Sequence, residues 1–356
     1  MKLIVSTCGT SLLTNLAGEQ RSLVTRHANA KHAEDVPVDA RQTLQALIDA
    51  ARERMQAADA SERAKLSAEY NGLVCYYGPR FAPEDQHWLI ATDTWLGQAT
   101  AGILAEVLGE RAQVKRIPDL RTEDLPAFRL AMAALVRLCA EEIRPLGLPV
   151  VFNLTGGFKS VQGFMQALGM LYADETVYVF ESSQELLRLP RLPIRLDAEA
   201  TVRATLPLWR RLEAGLPVMA DKARGIPEIF LLVLDGQVAL SEWGELVWRE
   251  VRDGLLSEQL WPPIDDKLRF GPDFERSTRE CSADERRQIN ERIGELARHL
   301  HDPGFNPRRL DFKKLAQPHQ GSTHECDAWA QGGAKRLFGH FEGGVFVLDR
   351  LARGLH

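Results

Sequence analysis

Short apolar runs alternate with longer amphipathic stretches over the first 200 residues of the chain. The apolar runs have the length of buried β-strands and lie at residues 2–8, 87–92, 113–117, 149–154 and 176–180. Between them, apolar side chains recur at helical spacing in residues 40–68, 96–108, 125–144 and 160–171. This alternation of strand and helix predicts an α/β domain in which helices cover a parallel sheet.

The pattern changes near residue 200. Residues 198–212 and 240–252 have the spacing of amphipathic helices, and Asp235-Gly236 between them is a turn signal. Short helices joined by turns suit a small winged-helix-like module. We therefore predict a connector over residues 198–264, which ends in the Trp-Pro-Pro-Ile sequence of a linker.

A strand, a long helix and several hairpins are predicted after this linker. Residues 267–270 have a strand pattern, and residues 281–301 form a helix whose apolar stripe is Ile289, Ile293, Leu296 and Leu300. Further strands are predicted at residues 309–315, 323–330, 335–341 and 345–351, with Gly-Gly turns at 332–333 and 343–344. The predicted domains are therefore an α/β domain at 1–197, the connector at 198–264 and an α+β domain at 265–356.

The composition is that of an ordinary globular chain. Of the 356 residues, 45% are hydrophobic and 26% are charged, which excludes a disordered or fibrous protein. No apolar run approaches the ~20 residues that a membrane helix needs, and the first residues have the pattern of a strand rather than a signal peptide. Five widely spaced cysteines without a Cys-x-x-Cys pair indicate neither a disulfide framework nor a zinc site. We therefore expect a reduced, cytoplasmic protein with no metal and no cofactor.

The net charge of −5 argues against a protein whose whole surface is positively charged for binding nucleic acid. The charge is unevenly distributed, however. From residue 303 onward there are eight Lys or Arg against five Asp or Glu, and six of the nine histidines follow residue 298. A local positive surface of this kind is what an RNA-binding site needs.

The clearest chemical motif is Asn-Leu-Thr-Gly-Gly-Phe-Lys-Ser at residues 153–160, where a predicted strand passes into a helix. Ligands of open α/β sheets bind beyond the carboxyl ends of the strands, and a helix N-terminus offers free N–H groups to an anion. Gly9, Thr10 and Ser11 follow the first strand in the same way. These glycine-containing loops therefore predict a polar, phosphate-binding shelf, although each could also be a simple turn. Neither loop has the spacing of a Walker or dinucleotide-binding motif.

Four segments together resemble CARF domains, the CRISPR-associated Rossmann-fold sensors. They are residues 8–15, 92–94, 153–159 and 178–193, and the resemblance covers about residues 1–195. It implies a Rossmann-like domain that forms a homodimer, whose two pockets join across the two-fold axis and bind a cyclic oligoadenylate. Because four nucleotides suit two symmetric half-sites, cyclic tetra-adenylate is the expected activator.

The same resemblance implies the binding residues. Thr10 and Ser11 would contact phosphate or ribose beside Gly9, and Thr94 belongs to the matching Thr-Asp-Thr segment. The floor of the pocket would be Asn153, Thr155, Gly156, Gly157 and Lys159. Some relatives also cleave the ring, and here Lys159 and Ser11 could stabilise the charge of that transition state.

The order of elements after residue 265 resembles the RelE family of mRNA interferases. The resemblance rests on a strand and a long helix, the basic strands at residues 310–315 and 335–339, and the ending at 345–356. It implies cleavage of mRNA in the ribosomal A site by attack of a 2′-OH on the adjacent phosphate. This chemistry needs no metal, but it needs cations at the phosphate and groups that move protons.

This second resemblance implies the nuclease residues. Arg336 would bind the scissile phosphate, with Lys313 and Lys314 as further cations. Arg353 and His356 match the polar C-terminal end, and either His356 or His324 could act as general acid or base. Some relatives have a tyrosine at the C-terminal position, whereas all five tyrosines here precede residue 180. The acid–base assignment is therefore open at this point.

Together the two resemblances imply an ancillary effector of type III CRISPR–Cas defence, a sensor fused to a nuclease that acts on mRNA and the ribosome. Two alternatives stay open. A CARF sensor with a winged helix could regulate transcription without catalysis, although residues 198–264 contain no dense basic recognition helix. The protein could also be a ring nuclease that degrades cyclic tetra-adenylate.

Overall fold

The structure, a computed structural model, describes residues 1–78, 80–121, 124–157, 159–180, 185–193, 197–330 and 333–354. The chain divides into two compact units, Met1–Arg195 and Leu196–His356. Residues 198–264 and 265–356, predicted as two domains, therefore lie in one unit. Among the described residues, no helix has both the length and the hydropathy that crossing a membrane requires.

The first unit contains a six-stranded sheet in the order β3-β2-β1-β4-β5-β6. Its strands are β1 (Leu3–Thr7), β2 (Gln86–Ala91), β3 (Ala112–Arg116), β4 (Val150–Asn153), β5 (Glu175–Val179) and β6 (Leu186–Pro190). Strands β1 to β5 pair in parallel, which confirms the predicted parallel sheet. Strand β6 was not predicted. It pairs antiparallel at the edge and ends at a proline, a residue that edge strands tolerate.

Eight α-helices of the first unit fall within the described residues. They are α1 (Ser11–Leu16), α2 (Arg21–Arg26), α3 (Val38–Ala57), α4 (Ala60–Leu66), α5 (Ala68–Tyr77), α6 (Trp95–Leu108), α7 (Leu125–Arg137) and α8 (Lys159–Tyr172). Residues 18–80, for which the sequence predicts little beyond a helix, contain all of α2 to α5. Leu44 and Met55 of α3 are buried in one apolar core with Leu12 of α1 and Ile103 of α6. The long helix predicted to reach residue 144 is α-helical only to Arg137 and continues as a π-helical turn.

The second unit begins with helices and one hairpin. They are α9 (Glu199–Ala204), α10 (Leu206–Glu213), β7 (Leu231–Leu234), β8 (Gln237–Leu240) and α11 (Glu242–Glu258). Pro207 in the first turn of α10 divides the single helix that the sequence predicts. Asp235 and Gly236 both have positive φ, as the tight turn of the β7–β8 hairpin requires. Trp209 and Trp248 are fully buried, and their rings stack 6.2 Å apart.

The second unit then forms a five-stranded sheet in the order β10-β11-β12-β13-β9. Its elements are β9 (Leu268–Phe270), α12 (Phe274–Thr278), α13 (Ala283–His301), β10 (Lys313–His319), β11 (Ser322–Trp329), β12 (Lys335–Glu342) and β13 (Val345–Arg353). Strand β9 pairs in parallel with β13, and the other pairs are antiparallel. The predicted stripe of α13 is confirmed for Ile289, Ile293 and Leu296, which are fully buried, and this stripe covers one face of the sheet.

Candidate functional site

A cavity of about 790 Å³ opens at the carboxyl ends of β4 and β5 in the first unit. Its polar lining includes Thr155, Lys159 and Gln162, and its aromatic lining consists of Tyr178 and Phe180. Lys159 is exposed at the beginning of α8. Ligands of open α/β sheets bind beyond the carboxyl ends of the strands, and this cavity lies there, next to the point between β1 and β4 where the strand order reverses.

The two glycine-containing loops touch each other. A Cβ atom on Gly9 would lie 3.2 Å from the Cα of Gly157, and Gly157 has a φ of +99°. The hydroxyl of Thr7 also donates a hydrogen bond to the carbonyl of Gly156, at 2.5 Å. The structure therefore brings the two predicted loops side by side, and the close approach at Gly9 and the positive φ of Gly157 favour glycine at both positions.

A buried carboxylate already occupies the donors of the first loop. Glu69 is 1% exposed, and its Oε1 accepts a hydrogen bond from the N–H of Gly9 at 2.9 Å. Its Oε2 accepts from the hydroxyls of Ser11 at 2.7 Å and Ser67 at 2.6 Å. The groups predicted to hold a phosphate thus bind an anion of the protein itself. Thr10 is half-buried, and its side chain does not cap α1.

Two other predicted binding residues are internal. The Asn153 side chain is 1% exposed, donates to Ser6 and to the carbonyl of Glu69, and accepts from the hydroxyl of Thr155. Thr94 is 1% exposed and caps α6 by accepting a hydrogen bond from the N–H of Gly97. Both residues support the loops from within, whereas Thr155 and Lys159 line the cavity.

Asp93, next to Thr94, forms ion pairs with two cations just beyond the end of β2. Its carboxylate lies 3.1 Å from Nζ of Lys31 and is also paired with Arg116. Burial favours the neutral acid, but hydrogen bonds from the main chain of Asp119 and from both cations outweigh it and lower the pKa of Asp93. The carboxylate therefore stays ionised and fixes the end of β2.

In the second unit, Arg336 is surrounded by acidic side chains. It pairs with the buried Glu325, with Asp327 at 3.1 Å and with Asp311 at 3.3 Å. Lys313 pairs with Asp311 at 2.6 Å, and its hydrogen bond is the main reason that the pKa of Asp311 is lowered. These predicted phosphate-binding cations are neutralised within the protein.

The predicted nuclease residues lie on both faces of the sheet. Lys313 is opposite Glu325 and Lys314 is opposite His324, so the two lysines project to different faces. His324 stacks on Phe312 at 5.3 Å, and burial, followed by the charge of Lys314, lowers its pKa. Lys313 and Arg336 thus share a face that does not include Lys314 and His324. Arg353 is exposed opposite Lys335, and His356 is outside the described residues.

A second cavity, of about 520 Å³, lies at the other end of this sheet and was not predicted. Among its lining residues are His340, Asp349 and Arg350 of β12 and β13. Sequence reasoning missed them because a register shift between Phe338 and Gly339 decides how β12 and β13 face each other. The available signal was the excess of histidines after residue 298, which did not single out His340.

One comparison with known proteins bears on the first unit. Residues 64–192 match the model of a family described as CRISPR-associated protein (Cas_APE2256). No curated protein matches the chain. The matched segment runs from α4 to beyond β6 and contains Thr94, Asn153 and Lys159, but it precedes the second unit. The match supports a CRISPR-associated protein.

Proposed function

We propose that this protein is an ancillary effector of type III CRISPR–Cas defence, a ribosome-dependent endoribonuclease activated by a cyclic oligoadenylate. One observation carries the proposal: the cavity beside Lys159 lies at the ligand-binding position of a parallel sheet, within the segment that matches a CRISPR-associated family. The proposed activator is cyclic tetra-adenylate, bound by a homodimer with two equivalent half-sites.

The chemistry of the first cavity suits a nucleotide ring. Lys159 supplies a mobile positive charge for a phosphate, and Thr155 supplies a hydroxyl for ribose or phosphate. Tyr178 lies on β5, and Phe180, which is 53% exposed, follows the end of that strand, so both offer ring faces on which an adenine can stack. This combination of cation and aromatic side chains supports a nucleotide more than a simple anion.

The second unit is proposed to cleave mRNA in the ribosomal A site, which places the protein in the cytoplasm. Attack of the 2′-OH on the adjacent phosphate needs positive charge at the phosphate and a group that accepts a proton. The sheet carries arginines and half-buried histidines, and the order of its elements along the chain is the one on which the resemblance to RelE rests. Activator binding would shift an equilibrium between an inactive and an active arrangement of the two units.

Translation in vitro, with and without cyclic tetra-adenylate, tests the proposal. Primer extension should show cuts in translated mRNA only when the activator is present. Lys159→Ala should abolish activation, because the cation that faces the cavity is lost. No cuts in mRNA, combined with a promoter-DNA shift, would favour a transcription regulator, and ring opening without mRNA cleavage would favour a ring nuclease.

A further inference from the structure

A histidine and an aspartate on neighbouring strands form a hydrogen-bonded pair in the second unit. Nδ1 of His340 lies 3.0 Å from both carboxylate oxygens of Asp349. The carboxylate also accepts a hydrogen bond from the hydroxyl of Ser322 at 2.7 Å. Because a carboxylate accepts hydrogen bonds, Nδ1 of His340 is the donor in this contact, and in the neutral imidazole the other nitrogen, Nε2, presents a lone pair. No described residue hydrogen-bonds to that Nε2.

The pair lines the cavity of about 520 Å³ described above, together with two arginines. The guanidinium of Arg350 is held by the carbonyls of His319 at 2.8 Å and Gln320 at 3.2 Å, and it lies over the ring of Phe338. Among the described residues, no carboxylate forms an ion pair with Arg350. Its positive charge is therefore fixed in place and still available to an anion.

The other histidine–aspartate pair of this unit shows a different arrangement. His301 contacts Asp265 through Nε2, at 2.9 Å, and Arg211 pairs with the same carboxylate at 3.1 Å. That aspartate is therefore neutralised by a cation within the protein. Of these two pairs, both among the described residues, the His340 pair shares its cavity with an arginine that has no described acidic partner.

We propose that the His340 cavity is the site where RNA is cleaved, with His340 as general base, Asp349 as its positioning residue and Arg350 as the phosphate-binding cation. This assignment rests on the proposed function. The substrate class is single-stranded RNA, because a phosphodiester beside a 2′-OH presents both an anion for Arg350 and a proton for His340.

The reaction balances without any other reactant. Nε2 of His340 takes the proton of the 2′-OH as the 2′ oxygen forms a bond to phosphorus. The bond from phosphorus to the 5′ oxygen breaks, and that oxygen takes a proton from solvent. The products are a 2′,3′-cyclic phosphate and a free 5′-OH, and the proton on His340 returns to solvent.

The position of Ser322 argues against a serine-hydrolase reading of the same residues. Ser322 is fully buried, and its hydroxyl donates to Asp349 rather than to the imidazole. A nucleophilic serine needs the imidazole beside its hydroxyl and a path to the substrate. Ser322 is therefore not the nucleophile, and the proposed reaction uses the 2′-OH of the RNA itself.

The first test measures binding without cleavage. A fluorescent single-stranded 2′-O-methyl oligoribonucleotide lacks the attacking hydroxyl, and its affinity for the full chain is read by anisotropy at several salt concentrations. Arg350→Ala should weaken binding about tenfold and flatten the salt dependence, since one phosphate contact is lost. His340→Gln should bind within about twofold of the parent protein. Absence of binding by the parent protein, or equal binding by Arg350→Ala, would overturn the site.

The second test measures cleavage of translated mRNA in the presence of cyclic tetra-adenylate. His340→Gln should lower the rate about 100-fold or more, as expected for loss of a general base, and Asp349→Asn should lower it about tenfold. The matched control is His301→Gln, which removes a histidine of similar exposure that also contacts an aspartate and should leave the rate unchanged. Unchanged thermal midpoints show that each variant is folded.

The pH dependence separates a base from a structural histidine. The charged groups that line the cavity with His340 are Asp349 and Arg350 of β13 and Asp273 and Arg276 around the start of α12. Protonation removes the base, so the cleavage rate of the parent protein should fall toward acid pH, and the residual rate of His340→Gln should not. Asp349→Asn should displace this acid limb while leaving oligonucleotide binding unchanged.

The two proposals fail in different ways. If the parent protein cleaves mRNA and His340→Gln cleaves equally well, the ribonuclease function stands and the site is wrong. If the parent protein cleaves no RNA but its binding depends on Arg350, the ribonuclease function and the role of His340 as base are wrong, and the RNA-binding part of the site stands.

Discussion

Two arginines on adjacent strands of the second unit differ in what surrounds them. Arg336 on β12 has three carboxylate partners, of which Glu325 is fully buried. Arg350 on β13 is held by two main-chain carbonyls and has no acidic partner among the described residues. The excess of basic residues in the last part of the chain therefore overstates the charge that RNA could use. Available charge depends on the partners, and not on the number of cations.

The first unit shows the same contrast between donors that are bonded within the protein and side chains that face a cavity. The N–H of Gly9 and the hydroxyl of Ser11 bind the carboxylate of Glu69. Thr155 and Lys159 face a cavity of about 790 Å³. In both units, then, some of the residues that a motif singles out hold the fold together, and a neighbouring group remains open to a ligand.

The largest loss of stability is expected when Arg336 is removed from its three carboxylate partners in the second unit. Arg336→Ala removes the nearer cation of the buried Glu325 and leaves Lys313, whose Nζ lies 4.0 Å away, which should destabilise the unit by about 3 kcal/mol. Arg350→Ala removes two hydrogen bonds at a half-buried position and should cost about 1 kcal/mol. Urea unfolding of the full chain, followed by tryptophan fluorescence, measures both changes.

A double substitution is the control for this comparison. Replacing Arg336 and Glu325 together by leucine removes the ion pair without leaving a buried charge, and it should recover much of the stability lost in Arg336→Ala. Equal destabilisation by Arg336→Ala and Arg350→Ala would contradict the contrast between the two arginines.

The second prediction compares Lys159, which lines the cavity of the first unit, with Ser11, whose hydroxyl is bonded to Glu69. Lys159→Ala should weaken the binding of cyclic tetra-adenylate roughly 10- to 100-fold, since a charge-assisted contact is lost. Ser11→Ala should change the affinity by less than about threefold, because its hydroxyl is engaged with Glu69. Isothermal titration of each variant measures the affinities, and a larger loss in Ser11→Ala than in Lys159→Ala would reverse the assignment.

The third prediction concerns Glu69 itself. Glu69→Ala leaves the N–H of Gly9 and the hydroxyls of Ser11 and Ser67 without their acceptor, which should destabilise the first unit by about 2 kcal/mol. Glu62→Ala, at an exposed position of α4, is the matched control and should leave the unfolding midpoint unchanged. If both variants unfold at the same urea concentration, the carboxylate does not hold the loop.

The smallest effect is expected at Asp93. Its pKa is lower in the folded protein than in the unfolded chain, so the unfolded chain binds more protons in acid. The stability that Asp93 contributes is therefore present above about pH 4 and is lost as the pH falls through the lowered folded value. Asp93→Asn should cost about 1 kcal/mol at neutral pH and flatten the acid side of the stability profile. Thermal unfolding from about pH 7, where the contribution is complete, down to about pH 3, where it is being lost, checks the slope.

The sequence was informative wherever a local pattern decides the structure. The buried strands β1 and β4 are short apolar runs, and the glycine-containing loops that were predicted to follow them do so and lie in contact. The separation of Lys313 and Lys314 onto two faces also follows from the two-residue period of a strand, and it was available from the sequence.

The rest depends on contacts between distant residues. Glu69 lies 60 residues from Gly9 in the chain, and no local pattern shows that its carboxylate meets that N–H. The pairing of His340 with Asp349 depends on a register shift, which moves one strand relative to its neighbour and cannot be derived from alternation alone.

The contact between Glu69 and the first loop also makes this carboxylate a competitor of any anion that enters the loop. A carboxylate in the same chain is present at a high effective concentration, of the order of millimolar or more. An incoming phosphate that seeks the N–H of Gly9 or the hydroxyl of Ser11 must compete with it. An incoming anion would lose this competition, so the loop after β1 stays held by Glu69 while the ligand binds at Thr155 and Lys159.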